Sequence, residues 1–244
     1  MPSLPLLRAK ATDLGLTLDE TALERFEAYR ALLIEWNERF NLTRVTEPDE
    51  IERRLFLDSL ALAPLLARHR LASRVAGNLR LVDVGTGGGF PGLPLKIADP
   101  SIELTLIDAT AKKIGFLQEA IRELGLDGVR AVHGRSEELA HDPAYRSAFD
   151  VVIARAVAKL PTLIELCMPF CGPRGWGIFP KGRDIAAEVV STTNALKALR
   201  CKLIGVESPT LPELSGTTLV IIEQVGKPPK PYPRRAGLPA KSPL

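Results

Sequence analysis

An apolar run that contains an acid is followed directly by a turn rich in glycine. The run is Leu81–Val84, its acid is Asp83, and the turn has glycine at alternate positions: Gly85, Gly87 and Gly89. Glycine accepts positive φ and lets a ligand come closer to the backbone than a Cβ would allow. A helix-compatible segment follows, and the free N–H groups of a helix start favour a negatively charged group. This stretch therefore predicts a strand, a tight turn and a helix that together bind a ligand.

A second acid, Asp108, stands at the end of another strand-like run, residues 104–107. An acid about 20 residues beyond a glycine turn can accept hydrogen bonds from the ribose hydroxyls of a nucleoside. A dinucleotide-binding turn would have its third glycine at the position of Phe90. The alternate glycines resemble instead the first motif of class I S-adenosylmethionine (SAM) methyltransferases. An ordinary glycine-rich turn with a solvent-facing acid is the alternative interpretation.

Strand-like and helix-like runs alternate from residue 79 onward. Strands are predicted at 79–83, 104–108, 129–132, 149–154, 175–179, 201–206 and 217–224, and helices at 111–125, 163–170 and 184–199. This alternation indicates an α/β fold with a doubly wound, mostly parallel seven-stranded sheet. The short link between the last two strands favours an antiparallel hairpin at the sheet edge. Ligands bind at the carboxyl ends of parallel strands. The residues predicted there are Asp83, Gly85, Asp108, Ser136, Glu137, Arg155 and Lys181.

Residues 1–78 are predicted to be helical and to form a cap beside the mouth of the sheet. Apolar residues recur there at helical spacing: Leu23, Phe26, Leu33, Trp36 and Phe40. Thr21 with Glu24, or Thr17 with Glu20, fits a capping box at the start of this helix. The predicted organisation is a helical cap at 1–78, a SAM-binding domain at 79–226 and a tail at 227–244.

The composition is that of an ordinary globular protein. The chain has 244 residues, a net charge of +3 and three cysteines. Cys167 and Cys171 have no matching Cys or His pair, so we expect free thiols and no metal site. Arg8 and Lys10 interrupt the leucines near the N-terminus, so neither a signal peptide nor a membrane span is predicted. We expect a cytoplasmic monomer.

Basic residues are concentrated in the tail, which carries no acid. They are Lys227, Lys230, Arg234, Arg235 and Lys241, with six prolines among them. The prolines exclude a long regular helix or an inner strand. A semi-rigid arm that meets phosphates and a solvated tail laid over the domain fit this pattern equally well.

Motifs along nearly the whole chain resemble the RsmG (GidB) family. The specific ones are Trp36–Thr43 with its W-N-x-x-x-N-L-T pattern, the L-D-S segment Leu57–Ser59, and the glycine turn continued as Phe90–Pro94. Later segments follow in the family's order: Asp108–Thr110, Arg135–Glu137, Arg155–Ala156, Lys181–Gly182 and Tyr232–Arg235. One departure is Leu55, where many members have a histidine. If that histidine grips RNA or orders the cap, this chain must do so by other means.

The resemblance implies that the chain transfers a methyl group from SAM to N7 of a specific guanosine in 16S rRNA, free or in a small-subunit precursor. It implies SAM contacts from Gly85, Gly87, Gly89, Phe90, Asp108, Ala109, Thr110, Ser136, Glu137 and Arg155. Arg155 is also expected beside the incoming base. We interpret Lys181, Arg234 and Arg235 as further RNA contacts. Arg155, Lys181 and Asp58 are interpreted as positioning residues, and none of them as a catalytic acid or base.

The residue types that are missing agree with that reaction. N7 of guanine has an in-plane lone pair and no proton, so its attack on a methyl group requires no general base. The chain shows no convincing nucleophile–base pair, and Arg155–Ala158 stands where amino methyltransferases have their D/N-P-P-Y/F signature. Catalysis would then rest on alignment. The target should be unpaired or flipped, because N7 of an RNA duplex lies in a deep, narrow groove.

Three other functions are considered. Phe90 in place of a third glycine disfavours an NAD-dependent oxidoreductase. Intact Gly85, Asp108 and Arg155 disfavour an rRNA-binding ribosome-assembly protein with a vestigial cofactor pocket. The basic tail mildly disfavours a class I enzyme that acts on a small molecule.

Overall fold

The computed structural model describes residues 4–73 and 77–244. These residues form one sheet with strands β1 (Arg80–Val84), β2 (Glu103–Asp108), β3 (Val129–His133), β4 (Phe149–Ile153), β5 (Cys171–Gly182), β6 (Cys201–Glu207) and β7 (Thr217–Gln224). The order across the sheet is β3-β2-β1-β4-β5-β7-β6. Strands β1 to β5 are parallel, and β7 is antiparallel to both of its neighbours. The predicted seven-stranded α/β sheet with its terminal hairpin is confirmed.

The helices are α1 (Pro5–Lys10), α2 (Glu20–Phe40), α3 (Pro48–Glu50), α4 (Asp58–Leu60), α5 (Ala63–Ser73), α6 (Gly92–Ala98), α7 (Ala111–Glu123), α8 (Ser136–Leu139), α9 (Leu160–Cys167), α10 (Ala186–Val190), α11 (Thr193–Leu199) and α12 (Leu238–Lys241). A π-helical segment, Ile51–Leu57, joins α3 to α4. Short 3-10 turns cover Thr12–Leu14, Met168–Phe170 and Pro212–Leu214.

Helices cover both faces of the sheet. Successive strand residues point to opposite faces, and apolar residues on both faces have to be shielded from water. In β1, Leu81 packs in a core with α2, α6 and α7, whereas Val82 and Val84 pack in a second core with α9 and α11. Strands that are apolar on both faces suit this buried position. The carboxyl end of β1 is therefore held between two cores, and the glycine turn that follows starts from a rigid base.

The N-terminal helices belong to the first of these cores. Leu23, Phe26 and Leu33 are buried, α2 packs against α6 and α7, and α5 packs on β5. This differs from the expected cap beside the mouth, since the helices also cover one face of the sheet. The N-cap of α2 is Asp19, whose Oδ1 accepts from Ala22 N (2.7 Å), and neither predicted capping box forms the helix start.

Two predicted helices have other bounds in the structure, for local reasons. The helix expected at 184–199 is divided into α10 and α11. The hydroxyls of Ser191 and Thr192 donate to the carbonyls three residues earlier (both 2.7 Å), which competes with a continuous helix. The helix expected at 163–170 gives way to a 3-10 turn after Cys167. Pro169 lacks the N–H that a further α-helical turn needs.

The tail lies against α9 and the segment before β4. Arg234 forms a bidentate ion pair with Glu165, in which Nε and Nη2 donate to Oε1 (2.8 Å) and Oε2 (2.6 Å). The side chain of Glu165 is fully buried. The hydroxyl of Thr162 donates to Pro239 O (3.0 Å). The guanidinium of Arg146 donates to three tail carbonyls, those of Pro228, Pro229 and Tyr232. Of the two interpretations of the tail, the structure supports the one in which it is laid over the domain.

Candidate functional site

The glycine turn follows β1 and keeps one side open. Gly85, Gly87 and Gly89 all have positive φ, at 69°, 60° and 95°. A Cβ on Gly85 would lie 2.7 Å from Val157 Cγ2, whereas a Cβ on Gly87 would meet nothing within 4 Å. Gly85 is therefore required by packing as well as by φ, and Gly87 borders space that a ligand can enter. The N–H of Gly89 donates to Thr86 O (3.0 Å) and closes the turn.

Asp83 connects the two ends of the turn from inside the protein. It is fully buried, and its Oδ2 accepts hydrogen bonds from Thr86 Oγ1 (2.7 Å) and Gly92 N (2.9 Å). Oδ1 has no hydrogen-bond partner among the described residues. Burial raises the pKa of Asp83 to about 6, and these two hydrogen bonds together with the charge of Arg155 oppose the rise.

The carboxylate of Asp108 connects the turns after β1 and β2. Oδ2 accepts from Gly87 N (3.0 Å), and Oδ1 accepts from Thr110 N (2.9 Å). Lys113 Nζ lies 3.4 Å from Oδ2, and Ala109 is exposed next to this group. The structure thus brings the predicted ribose acceptor to the open side of the glycine turn. Its oxygens have further lone pairs that can accept from hydroxyl groups.

Two residues predicted at the adenine end of the cofactor make contacts within the protein. The Ser136 hydroxyl donates to Leu166 O, and Glu137 Oε1 accepts from Gly237 N (3.1 Å). Both residues lie at the start of α8, shortly after β3. They are therefore at the predicted edge of the sheet, where Glu137 also holds the tail.

Phe90 belongs to the core beneath the site. It is 6% exposed, and its ring stacks on Tyr29 with centroids 5.3 Å apart. The hydroxyl of Tyr29 donates to Gly88 O and so supports the glycine turn. The guanidinium carbon of Arg155 lies 5.4 Å from the Phe90 centroid. Phe90 thus supports Arg155, and its contact with the cofactor remains a prediction.

Arg155 follows β4 and joins three segments of the chain. Its Nη1 donates to Asp58 Oδ2 in α4 (3.1 Å) and to Arg54 O (3.3 Å). The other oxygen of Asp58 accepts from Thr217 Oγ1 at the start of β7 (2.6 Å). Most of the ion pair is shielded from water, since the two side chains are 17% and 15% exposed. Asp58 and Phe90 together hold the guanidinium at the carboxyl edge of the sheet.

Two residues predicted to contact RNA form ion pairs within the protein, and their RNA contacts remain predictions. Lys181 Nζ donates to Glu188 Oε1 in α10 (3.0 Å), and Arg234 is bound by Glu165 in α9. The two side chains are 13% and 23% exposed, and a carboxylate of a neighbouring helix binds each of them. Arg235, by contrast, is exposed.

A cavity of about 630 Å³ opens beside Arg155. Its lining includes Asp58, Thr217 and three arginines that the sequence analysis did not single out, Arg53, Arg54 and Arg183. The available signal was the basic pair Arg53–Arg54 just before the L-D-S segment. The cavity therefore adds a basic surface to the predicted site.

Other reactive groups were also placed by the fold. Within residues 4–73 and 77–244, no group of three or more His, Cys, Asp or Glu is arranged to hold a metal ion. Burial raises the pKa of Cys167 and Cys171, and it raises the pKa of Cys201 to about 12, so these thiols stay protonated at neutral pH. In the same part of the chain, no helix is both long and apolar enough to cross a membrane.

A solved structure shares this architecture. A SAM-dependent methyltransferase from Aquifex aeolicus is similar with a TM-score of 0.50 at 16% identity, and the match covers 76% of this chain and 97% of that chain. At this identity the likeness concerns the fold. It confirms the prediction of a class I SAM-methyltransferase sheet.

Curated relatives match almost the whole chain. "Ribosomal RNA small subunit methyltransferase G" of Desulfitobacterium hafniense (strain Y51) is 41% identical over 232 residues, which are 95% of this chain and 93% of the relative. The protein of the same name from Alkaliphilus metalliredigens (strain QYMF) is 38% identical over 245 residues and covers 100% of both chains. The family model described as rRNA small subunit methyltransferase G matches residues 22–212. That range contains the glycine turn, Asp58, Asp108 and Arg155, and with its site residues inside the match the chain belongs to the rRNA small subunit methyltransferase G family.

Proposed function

We propose that this chain transfers a methyl group from SAM to N7 of one guanosine in 16S rRNA, free or within a small-subunit precursor in the cytoplasm. One observation carries the proposal. The open glycine turn, Asp108 and the Arg155–Asp58 pair lie at the carboxyl edge of one sheet, in a chain whose relatives are named as rRNA small subunit methyltransferases. The acceptor atom is inferred from the chemistry of the residues present.

The residues of the glycine turn fit SAM. Gly87 leaves room against the backbone, and Asp108 offers carboxylate lone pairs to ribose hydroxyls. When bound, SAM supplies an electrophilic methyl group on a sulfonium centre. The contacts of Ala109, Thr110, Ser136 and Glu137 with its adenosine part belong to this proposal.

N7 methylation makes small demands on acid–base groups. The N7 lone pair carries no proton, so no side chain has to remove one. Arg155 and Asp58 form an ion pair with each other, and neither is placed as a nucleophile or base. The chain contributes alignment, since a guanidinium fixed by Asp58 and Phe90 can orient an incoming base without moving itself.

The experiment that tests the proposal supplies donor and acceptor together. The protein is incubated with radiolabelled SAM and with 16S rRNA or small subunits from cells that lack this gene, and 7-methylguanosine is mapped by borohydride reduction and aniline cleavage. A single new cleavage site in 16S rRNA is expected. Label without cleavage would contradict the N7 assignment, and rRNA binding without label would support the assembly-protein alternative.

A pair of variants connects the reaction to the site. Arg155→Ala should lose most of the label, because the residue that orients the base is gone. Arg122→Ala removes an arginine of the same charge that lies in α7 and is 67% exposed, and it should retain full labelling. Equal labelling by both variants would show that Arg155 does not take part.

A further inference from the structure

The cavity beside Arg155 is built from parts of the chain that are distant in sequence. The π-helical segment contributes Arg53 and Arg54, α4 contributes Asp58, the segment after β5 contributes Arg183, and β7 contributes Thr217. Its volume of about 630 Å³ is in the range of pockets that enclose one small ligand, roughly 300–1,000 Å³. A single nucleotide is of a suitable size, whereas a duplex is not.

The lining carries an excess of positive charge. Among its described residues, four are arginines and two are carboxylates, and each of those carboxylates already has a cation: Asp58 pairs with Arg155, and Glu213 pairs with Lys10 (3.0 Å). Arg183 is exposed and uses Nε and Nη2 to donate to Ser215 O (3.0 and 2.9 Å). The remaining donors of this guanidinium are available to an anion.

The two arginines of the π-helical segment are exposed to solvent, and Arg53 donates from Nε and Nη2 to both oxygens of Glu50. Both pair with Glu50, Arg53 at 2.7 Å and Arg54 at 3.5 Å, and their side chains are 45% and 60% exposed. An exposed ion pair of this kind contributes about 0–1 kcal/mol. A phosphate can therefore replace Glu50 at little cost, and guanidinium groups bind phosphate oxygens in a bidentate manner.

We propose that this cavity receives the acceptor nucleotide as an unpaired residue of the RNA strand, with Arg53, Arg54 and Arg183 binding the phosphates on either side of it. The inference deepens the proposed function and rests on it. The sequence pattern assigned RNA contacts to Lys181 and Arg234, whereas the cavity assigns the phosphate contacts to Arg53, Arg54 and Arg183. Lys181 and Arg234 are 13% and 23% exposed in their ion pairs, whereas the side chains of Arg53 and Arg54 are 45% and 60% exposed and line the cavity.

The test compares two double variants that remove the same charge. Arg54→Gln/Arg183→Gln changes the cavity. Arg39→Gln/Arg122→Gln changes two arginines outside its lining, which are 70% and 67% exposed and paired with glutamates of their own helices. Binding of a 16S rRNA fragment is measured by filter retention at several salt concentrations. SAM binding is measured separately by calorimetry, and thermal unfolding confirms that each variant is folded.

We expect the cavity variant to bind the RNA more weakly and with a smaller salt dependence. Each phosphate contact to a single strand contributes about 0.7 to the slope of log K against log salt, so two lost contacts reduce it by about 1.4. The control variant should keep the wild-type slope, and all proteins should bind SAM equally. An unchanged slope in the cavity variant, an equal change in the control, or a parallel loss of SAM binding would each overturn the inference.

The two proposals fail in different ways. A wild-type protein that produces 7-methylguanosine while the cavity variant keeps its slope sinks the inference alone. An arginine-dependent slope without aniline-sensitive product sinks the N7 assignment and leaves the phosphate contacts supported. A wild-type protein that does not bind rRNA at all overturns both.

Discussion

Charged residues have different partners in two regions of the molecule. One region is the tail interface, where residues 227–244 meet α9. The other is the mouth of the sheet, where β1, β2 and β4 end. At the tail, the fully buried Glu165 accepts from Arg234 with both of its oxygens (2.8 and 2.6 Å). At the mouth, Oδ1 of the equally buried Asp83 has no partner among the residues that the structure describes. The side chain of Arg54 nearby is 60% exposed.

The difference separates a buried charge that is matched within the fold from a buried acceptor without a partner and a cation that solvent reaches. A buried charge that is matched must stay matched, because removing one partner leaves the other without water or counter-charge. A buried acceptor without a partner lowers the stability of the protein, whereas an exposed cation stays available to an anion. The comparison makes four predictions, from the largest effect to the smallest.

Arg234→Ala is expected to cause the largest loss of stability. It leaves the buried Glu165 carboxylate without its cation, which lowers the free energy of unfolding by about 3–5 kcal/mol. Urea unfolding measures this loss. The exposed neighbour provides the control, because Arg235→Ala should change the free energy of unfolding by no more than about 0.5 kcal/mol. Similar values for the two variants would contradict a matched charge pair at the tail.

Asp83→Asn should change how stability depends on pH. The folded-state pKa of Asp83 is raised from 3.8 to about 6, so the folded protein holds more protons than the unfolded chain between these values. The contribution of the carboxyl group is complete below about pH 4 and is lost as the pH rises through 6, by about 3 kcal/mol in all. The Asn variant lacks this titration. Its free energy of unfolding relative to the wild type should therefore rise by that amount between pH 4 and pH 7. Urea unfolding at pH 4, 5, 6 and 7 measures the difference, and a constant difference would contradict the raised pKa.

Asp108→Asn should weaken SAM binding. Hydrogen bonds to a charged acceptor contribute about 1.5–3 kcal/mol, which corresponds to about 10- to 150-fold in affinity. Calorimetry with SAM measures the change. Asp49→Asn removes the same charge from an exposed position and should bind as the wild type does. Equal affinity of the two variants would show that Asp108 serves only to hold the turns together.

Thr217→Val should have the smallest effect. It tests whether the Arg155–Asp58 pair acts on the RNA acceptor and the glycine turn with Asp108 acts on SAM. It removes the hydroxyl that donates to Asp58, and one hydrogen bond of about 1 kcal/mol corresponds to about fivefold in kcat/KM for RNA. SAM affinity should not change. The exposed Thr46→Val is the control and should leave both quantities unchanged. A loss of SAM affinity in Thr217→Val would contradict the assignment of Asp58 and Arg155 to the RNA acceptor alone.

The fold and the position of the site could be predicted because buried strands of a parallel sheet are continuous apolar runs. Asp83 and Asp108 interrupt such runs near their carboxyl ends, and parallel topology then brings those ends to one edge. The turn glycines were recognisable from their spacing. These signals lie within short stretches of the chain, so they can be recognised without knowledge of the tertiary structure.

The partners of the charged residues could not be predicted, because they are set by tertiary packing. Arg234 and Glu165 are 69 residues apart, and nothing in a basic tail indicates that one of its arginines is matched by an acid on a buried helix. The pairing of Lys181 with Glu188 in α10 was likewise not apparent from the sequence. Arg53 and Arg54 were overlooked for the opposite reason, since an exposed basic pair on a helix is common and only the cavity beside it gives it meaning.

Strand β7 lies between β5 and β6, and this arrangement affects the order in which a newly made chain can be completed. Strand β6 is synthesised first, yet its partner in the sheet is β7, so it has no neighbour until β7 has also emerged from the ribosome. The two strands must then add to the free edge of β5 together, and that edge is open to wrong pairing until they do. Thr217 arrives with β7, and with it the contact that fixes Asp58. In a nascent chain, the contact between Gly87 and Asp108 can therefore form before the contact between Thr217 and Asp58.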